Sequence, residues 1–222
     1  MWKENQQIRP LKSFEAVAFL ILGLFLNSIG NGLAVATNMG SAAWTAAATN
    51  LENLTHWPKG YFLFFFGFLA VLILTFLTRT FDWRHLLGNL IFLLGFSYLV
   101  NFSSNFFHLL LNLSLPWRIG LDLLAIVLIG TGVSITMRVN LITHPLDDLV
   151  LYTRFQYFHG NAFLSQMINF IVPMLISLII WAILGEIKSV NLGTIISFFG
   201  LGAIIGWADQ YIFPKLIHKN AF

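Results

Sequence analysis

Six stretches of this chain, at about residues 16–37, 61–78, 86–110, 119–137, 162–184 and 191–213, are apolar over most of their length. A helix crossing a hydrocarbon layer about 30 Å thick needs around 20 such residues, and each stretch comes close to that or exceeds it. Roughly a quarter of the residues of a soluble domain are charged. Here 9% are charged and 58% hydrophobic, too little polarity to cover a water-facing surface. The expected fold is an all-α polytopic membrane protein, with residues 1–222 forming a single membrane domain of six transmembrane helices.

Charge sets the expected topology. With the N-terminus in the cytoplasm, Lys3, Arg9, Lys12, Arg79, Arg84, Arg138, Arg154, Lys215 and Lys219 fall inside, and Lys59, Arg118 and Lys188 outside. This positive-inside asymmetry places both termini of a multi-pass protein on the cytoplasmic side of the cell membrane. Trp2, Trp83, Trp117 and Tyr211 lie near span ends, where amphipathic rings favour the interface. The basic N-terminus and Ala34-Val35-Ala36 have the form of a secretory signal, but the apolar stretch is too long for one and five more spans follow. The sequence pI of about 9.3 fits this topology better than nucleic-acid binding, for which no basic stripe exists. The chain has no cysteine, which excludes disulfides and thiolate chemistry.

Two connections, 38–60 outside and 138–161 inside, are longer than turns yet too polar to span. Their helical spacing allows two readings, an amphipathic helix at the interface or a half-helix tucked back into the protein. The chain also echoes itself. Ile29–Ala36 aligns with Ile129–Thr136 at a shift of one hundred positions, pairing Asn31 with Thr131, and Leu87-Gly88-Asn89 matches Leu192-Gly193-Thr194. Two repeats are expected, 1–114 and 115–222, each with three spans and a short re-entrant or interfacial helix after the first. Three is odd, so the second copy enters the bilayer inverted, a recurrent transporter plan with a site at the midplane.

The polar groups near these breaks are the candidate substrate-binding residues: Asn31, Ser41, Trp44, Thr131, Arg138, His144, Asp147 and Asp209. Thr143 or His144 can cap a helix whose first turn begins at Pro145. Asp147 and Asp148 suit the positive end of its dipole. Either they only start that helix, or Asp147 binds a polar or cationic group, with His144 as proton acceptor and Arg138 near enough to pair. Ser41 can cap the corresponding first-half helix, which has no carboxylate in its first turn and so offers free N–H donors to an anionic group. Trp44 serves as a stacking face or an interface anchor. Asp209, in the last span, is a functional candidate by its cost in a membrane, or snorkels, or pairs with Arg138 or Arg154. Asp122 is expected to pair with Arg118 at the outer surface. Asn27, Asn31, Asn89 and Asn101 are expected to bond between helices or line a polar cavity, and Gly30, Gly32, Gly130, Gly132 and Gly202-x-x-x-Gly206 to allow close helix approach. No metal-ligand spacing, nucleophile elbow or phosphate loop is present, so no enzyme activity, cofactor or metal is expected.

A Gly-rich helix end followed by a Pro-x-Asp helix start resembles the YczE/YyaS/YitT family of bacterial membrane proteins. Pro145-Leu146-Asp147 and the closing Gly193–Ile196 with Gly200 carry the likeness. The resemblance implies a multi-span protein of permease type and supplies no substrate. Ala43-Trp44-Thr45 stands where the family tends to show Pro-Trp-Asp, and Asn140 where it has Gly; this puts the relatives' substrate in doubt for this chain. The first expectation is therefore a small-molecule permease in the lipid bilayer. The alternatives are the substrate-binding subunit (S-component) of an energy-coupling-factor transporter partnered by an ATPase module, and a regulator or scaffold that moves nothing. A homodimer is a further expected partner arrangement.

Overall fold

The computed structural model describes residues 1–4, 7–57, 59–79, 83–107, 112–188 and 190–218. A hairpin of β1 (Trp2–Glu4) and β2 (Gln7–Arg9) precedes eight helices: α1 (Ser13–Thr37), α2 (Ala43–Thr55), α3 (Lys59–Thr78), α4 (Trp83–Phe106), α5 (Leu115–Val139), α6 (Pro145–Gln156), α7 (Ala162–Leu184) and α8 (Leu192–Tyr211). Six are long and apolar enough to cross a membrane; α2 and α6 are the two short helices of the polar connections. The hairpin had no signal in the sequence reading. Its Arg9 reaches Glu15 of α1 with two hydrogen bonds of 2.7 and 2.8 Å, a fork that fixes the start of the first span. Lys59, Arg84, Asn101 and Lys219 were assigned roles by sequence, but their side chains lie outside the described residues, as do positions 108–110.

Both halves run long, short, long, long. α1 and α5 are each 25 residues and end on an asparagine in the left-handed conformation, Asn38 (φ 50°) and Asn140 (φ 46°). Asparagine tolerates that region better than other non-glycine residues, so each span stops there and turns. Ser13 and Leu115, Thr37 and Val139, and Ala43 and Pro145 are all 102 positions apart, which corrects the shift of one hundred read from the Ile-Gly echo. Asn31 is thus equivalent to Val133, not to Thr131. The second echo holds in place: Gly88 lies against Ile142, and Gly193 against Met39, the loop preceding the opposite half's short helix in both cases.

The α1/α5 contact shows the inversion. A Cβ on Gly30 would lie 2.8 Å from the Ala125 carbonyl, and one on Gly132 would lie 2.6 Å from the Gly23 carbonyl. Shifting the first pair by 102 gives the second, the self-complementary pattern of a two-fold contact. Positions rise along α1 as they fall along α5, so the two spans are antiparallel. Other contacts swap in the same way: α2 packs on α7 and α6 on α3, α1 on α4 and α5 on α8. α5 is the central span, with 61% of its apolar window buried, against 17% for α3, whose Phe64, Phe65, Phe68 and Phe76 face outward as a lipid-facing surface would.

Depth along α3 places the short helices. A Cβ on Gly67, in the middle of α3, would touch Pro145 at the start of α6 (3.7 Å), while the Tyr152 hydroxyl, further along α6, reaches the Leu77 carbonyl near the α3 end (3.4 Å). α2 begins at the same level, with Trp44 packed on Phe66 at 5.1 Å between ring centroids. Its far end is tied to the loop after α7, where Asn50 bonds both backbone groups of Lys188 (2.8 Å each). Both short helices are therefore re-entrant, entering from opposite faces and pointing their N-termini at mid-depth. The interfacial reading is set aside, and with it Trp44 as an interface anchor. The two chain ends meet on the α6 side: the Lys3 amide donates to the Lys215 carbonyl (2.8 Å) and the Ile217 amide to the Met1 carbonyl (2.9 Å).

Candidate functional site

Two polar clusters surround the re-entrant helix starts, and a third closes the face where the termini meet. At the start of α6, Pro145 occupies the first helical position and His144 is the cap residue, its Nδ1 accepting from the Leu146 amide at 3.3 Å. The imidazole is held edge-on by Phe96 (5.4 Å) and Phe92 (6.3 Å) of α4. Thr143 turns inward and donates to Asp148, whose second oxygen accepts from Asn89 of α4 at 2.7 Å. Asp148 is 2% exposed, so these bonds replace the water it has lost. Asp147, one position earlier and half-buried, has no side-chain partner among the described residues.

At the start of α2 the equivalent anchor is Thr194 of α8. Its hydroxyl donates to the Ser41 carbonyl (2.8 Å) and accepts from the Ser41 amide (3.1 Å). Thr194 thus plays for α2 the part that Asn89 plays for α6, as the second echo implies. Ser41 does not cap α2: the cap position is Ala42, without a side-chain bond, and the buried Ser41 hydroxyl has no partner among the described residues. Beside it lies Asp122 of α5, 3% exposed. The expected Asp122–Arg118 pair is absent. Arg118 instead donates to the carbonyls of Thr37 (2.7 Å) and Asn38 (3.3 Å), capping the end of α1, and Asp122 accepts from the Thr37 hydroxyl at 3.2 Å. The α2 start is therefore not the carboxylate-free anion seat expected from its own first turn. A neighbouring helix supplies the acid. The i,i+4 spacing pointed to Arg118, and nothing local in the sequence showed that the α1 carbonyls would take that guanidinium.

The third cluster centres on Asp209 of α8. One oxygen accepts from Ser134 (2.6 Å) and lies 3.4 Å from the Arg138 Nε; the other meets Arg154 (2.6 Å) and His218 (3.1 Å). Arg138, 1% exposed, also donates to the carbonyls of Ile212, Phe213 and Leu216 at 2.8 to 3.1 Å, fastening the C-terminal tail. Arg138 thus serves Asp209 and not Asp147; of the alternatives for Asp209, the structure has the pairing with arginine, and Arg138 and Arg154 both take part. Burial pushes His218 below its ordinary pKa, against the opposing pull of Asp209. Asn31 donates to Asn27 within its own helix (2.9 Å), not between helices, and Thr131 has no hydrogen-bond partner among the described residues. Neither joins the clusters.

Small cavities border both helix starts. A cavity of about 10 Å³ lies beside Ser41 and Asp122, and one of about 20 Å³ between α3, α4 and Pro145, each with room for about one water molecule. An open cleft of about 560 Å³ lies at the tail face, bordered by Arg154, Asp209 and His218. The geometry is that of two polar helix starts that reach the same level of α3, each with a buried carboxylate close by.

The chain belongs to a family of unknown function, DUF6198, whose model matches residues 14–210. No curated protein and no solved structure matches it.

Proposed function

We propose that this protein is a small-molecule permease of the cytoplasmic membrane, with both termini inside, whose path runs between the starts of α2 and α6. The observation that carries the reading is the meeting of two re-entrant helix starts at one level of α3, Trp44 on Phe66 and Pro145 beside Gly67. Inverted repeats with interrupted segments place transporter sites at such a junction. Buried carboxylates at both starts, Asp122 and Asp148, favour a cationic or hydrogen-bond-donating solute. The path opens to each side in turn. Kinship with the YczE/YyaS/YitT proteins, through Pro145-Leu146-Asp147, belongs to the same proposal and supports it by architecture alone.

The cysteine-free chain suits a direct test. Single cysteines replace Ser41, His144 and, as a sealed control, Ile135, which is fully buried in the core. A membrane-impermeant cationic methanethiosulfonate is applied to sealed vesicles of each orientation. The permease reading expects Ser41→Cys and His144→Cys to react from the water and Ile135→Cys to stay unmodified. Protection of all three from both sides favours the scaffold reading.

A further inference from the structure

Asp122 lies seven residues into α5, about 10 Å along a spanning helix, with almost no exposure. Its single protein donor among the described residues is the Thr37 hydroxyl, which also bonds the Ala34 carbonyl at 2.8 Å and has only one proton for the two acceptors. The other carboxylate oxygen rests against Gly193, where a side chain would collide with it. Around it stand Thr37 of α1, Ser41 of the loop before α2, Gly193 and Ser197 of α8 and the apolar Ile126, Ile129 and Leu201, with no cation among the residues lining the cavity, and Arg118, one turn earlier, is bound to the end of α1. An isolated ionised carboxylate in such a place is strongly unfavourable unless it binds a proton or a cation.

The second observation is the Ser41 hydroxyl, on a residue 8% exposed and without a partner among the described residues. It borders the same cavity of about 10 Å³ as Asp122, and Ser197 borders it too. The Ser197 hydroxyl donates to the Thr194 carbonyl at 2.9 Å, leaving its lone pairs free. Asp122, Ser41 and Ser197 border a space the size of one water, and their carboxylate and two hydroxyls are the donor types that a hard, singly charged cation takes. No cluster of three or more acidic, histidine or cysteine ligands occurs among the described residues, so the charge available matches a monovalent ion.

We propose that this cavity seats a single monovalent cation, a proton or a sodium-sized ion, on Asp122. Resting on the permease reading, this makes Asp122 the seat of the coupling ion. Occupancy is felt where it matters mechanically. Within one residue of the cavity, Thr194 and Gly193 of α8 fasten the α2 start through Ser41 and Met39, the latter by a 2.8 Å bond from the Gly193 amide.

The test uses the full chain in lipid nanodiscs and needs no solute. Thermal stability is followed as sodium replaces choline at constant ionic strength, and the infrared carboxyl stretch is followed as a function of pH, for the wild type, Asp122→Asn and Ser41→Ala. A saturable sodium-dependent rise in melting temperature that Asp122→Asn abolishes identifies sodium. A protonated-carboxyl band absent from Asp122→Asn, without a sodium effect, identifies the proton. Ser41→Ala removes a hydroxyl without a partner among the described residues and leaves the fold intact. It raises the sodium midpoint about tenfold, the loss of one oxygen ligand, or shifts the carboxyl frequency, and it decides the matter alone if Asp122→Asn does not fold. Absence of both signals overturns the proposal. A cysteine-accessible path with neither signal removes the cation and leaves the permease.

Discussion

Gly132→Ala tests the two-fold contact at the centre of the bundle. The added Cβ would lie 2.5 Å from the Asn27 amide nitrogen, 2.6 Å from the Gly23 carbonyl oxygen and 2.9 Å from the Asn27 Cα. All three are backbone atoms, so no side chain can swing aside and α1 must recede by about 1 Å. A gap of that size forfeits a quarter to a half of each dispersion contact along the seam. Overpacking of this kind costs about 1–3 kcal/mol, while replacing glycine inside a helix returns about 0.5–1 kcal/mol. Gly120→Ala is the matched control, since a Cβ there meets nothing within 4 Å. In nanodiscs, tryptophan fluorescence should show Gly132→Ala melting below the wild type and Gly120→Ala at or slightly above it. The glycine replacement term is common to both, so the difference is the overpacking cost, about 2–12 °C at the 2–4 °C per kcal/mol of a chain this size. Gly30→Ala should fall with Gly132→Ala, because its Cβ meets the Ala125 carbonyl and the Ile129 amide at 2.8 and 2.9 Å. Equal melting of Gly132→Ala and Gly120→Ala would refute the inferred seam.

Other outcomes follow from the polar clusters. Asp209→Asn leaves Arg138 and Arg154 buried without their counter-charge, and thermal unfolding should register a loss of about 3–5 kcal/mol. Because burial holds His218 below its ordinary pKa, acidification from about pH 6.5 lets the unfolded chain take up a proton that the folded one resists. Stability is therefore full above that value and lost as pH falls, and a pH series should show His218→Gln losing less than the wild type. Gly193→Ala places a methyl against the Asp122 carboxylate and 3.0 Å from the Met39 carbonyl, and should lower the melting temperature. Combining it with Asp122→Ala should restore part of the loss; strict additivity of the two would argue against that contact.

Much of the fold was legible because membrane spans obey a length rule. The six apolar stretches became α1, α3, α4, α5, α7 and α8, with ends shifted by a few residues. The Pro145 helix start was readable from residue type alone, and pairing with Arg138 or Arg154 was one of the roles that residue type allowed Asp209. The register of the first echo was not, because Ile-Gly is common in apolar helices and matched by coincidence. Aligning Asn38 with Asn140 gives the shift that the structure has, since both asparagines end their spans in the left-handed conformation. Depth was also hidden. Helical spacing in 43–55 and 145–156 is the same for a helix on the surface and one pointing inward, and only Gly67 and Phe66 reveal the level reached. Asp122 was misassigned because sequence separation on one helix says nothing of the carbonyls another helix leaves open.

The central claim, that the short helices start at mid-depth, is tested most directly by disulfide trapping between Gly67→Cys and Pro145→Cys in the cysteine-free chain. The Cβ positions of this pair lie 3.9 Å apart, within the usual disulfide range. In native membranes under mild oxidation, mass spectrometry should find the cross-link between α3 and α6 in most of the protein. An interfacial α6 would lie near Thr78, eleven residues or about 16 Å along α3 from Gly67, and its failure to cross-link would contradict the account.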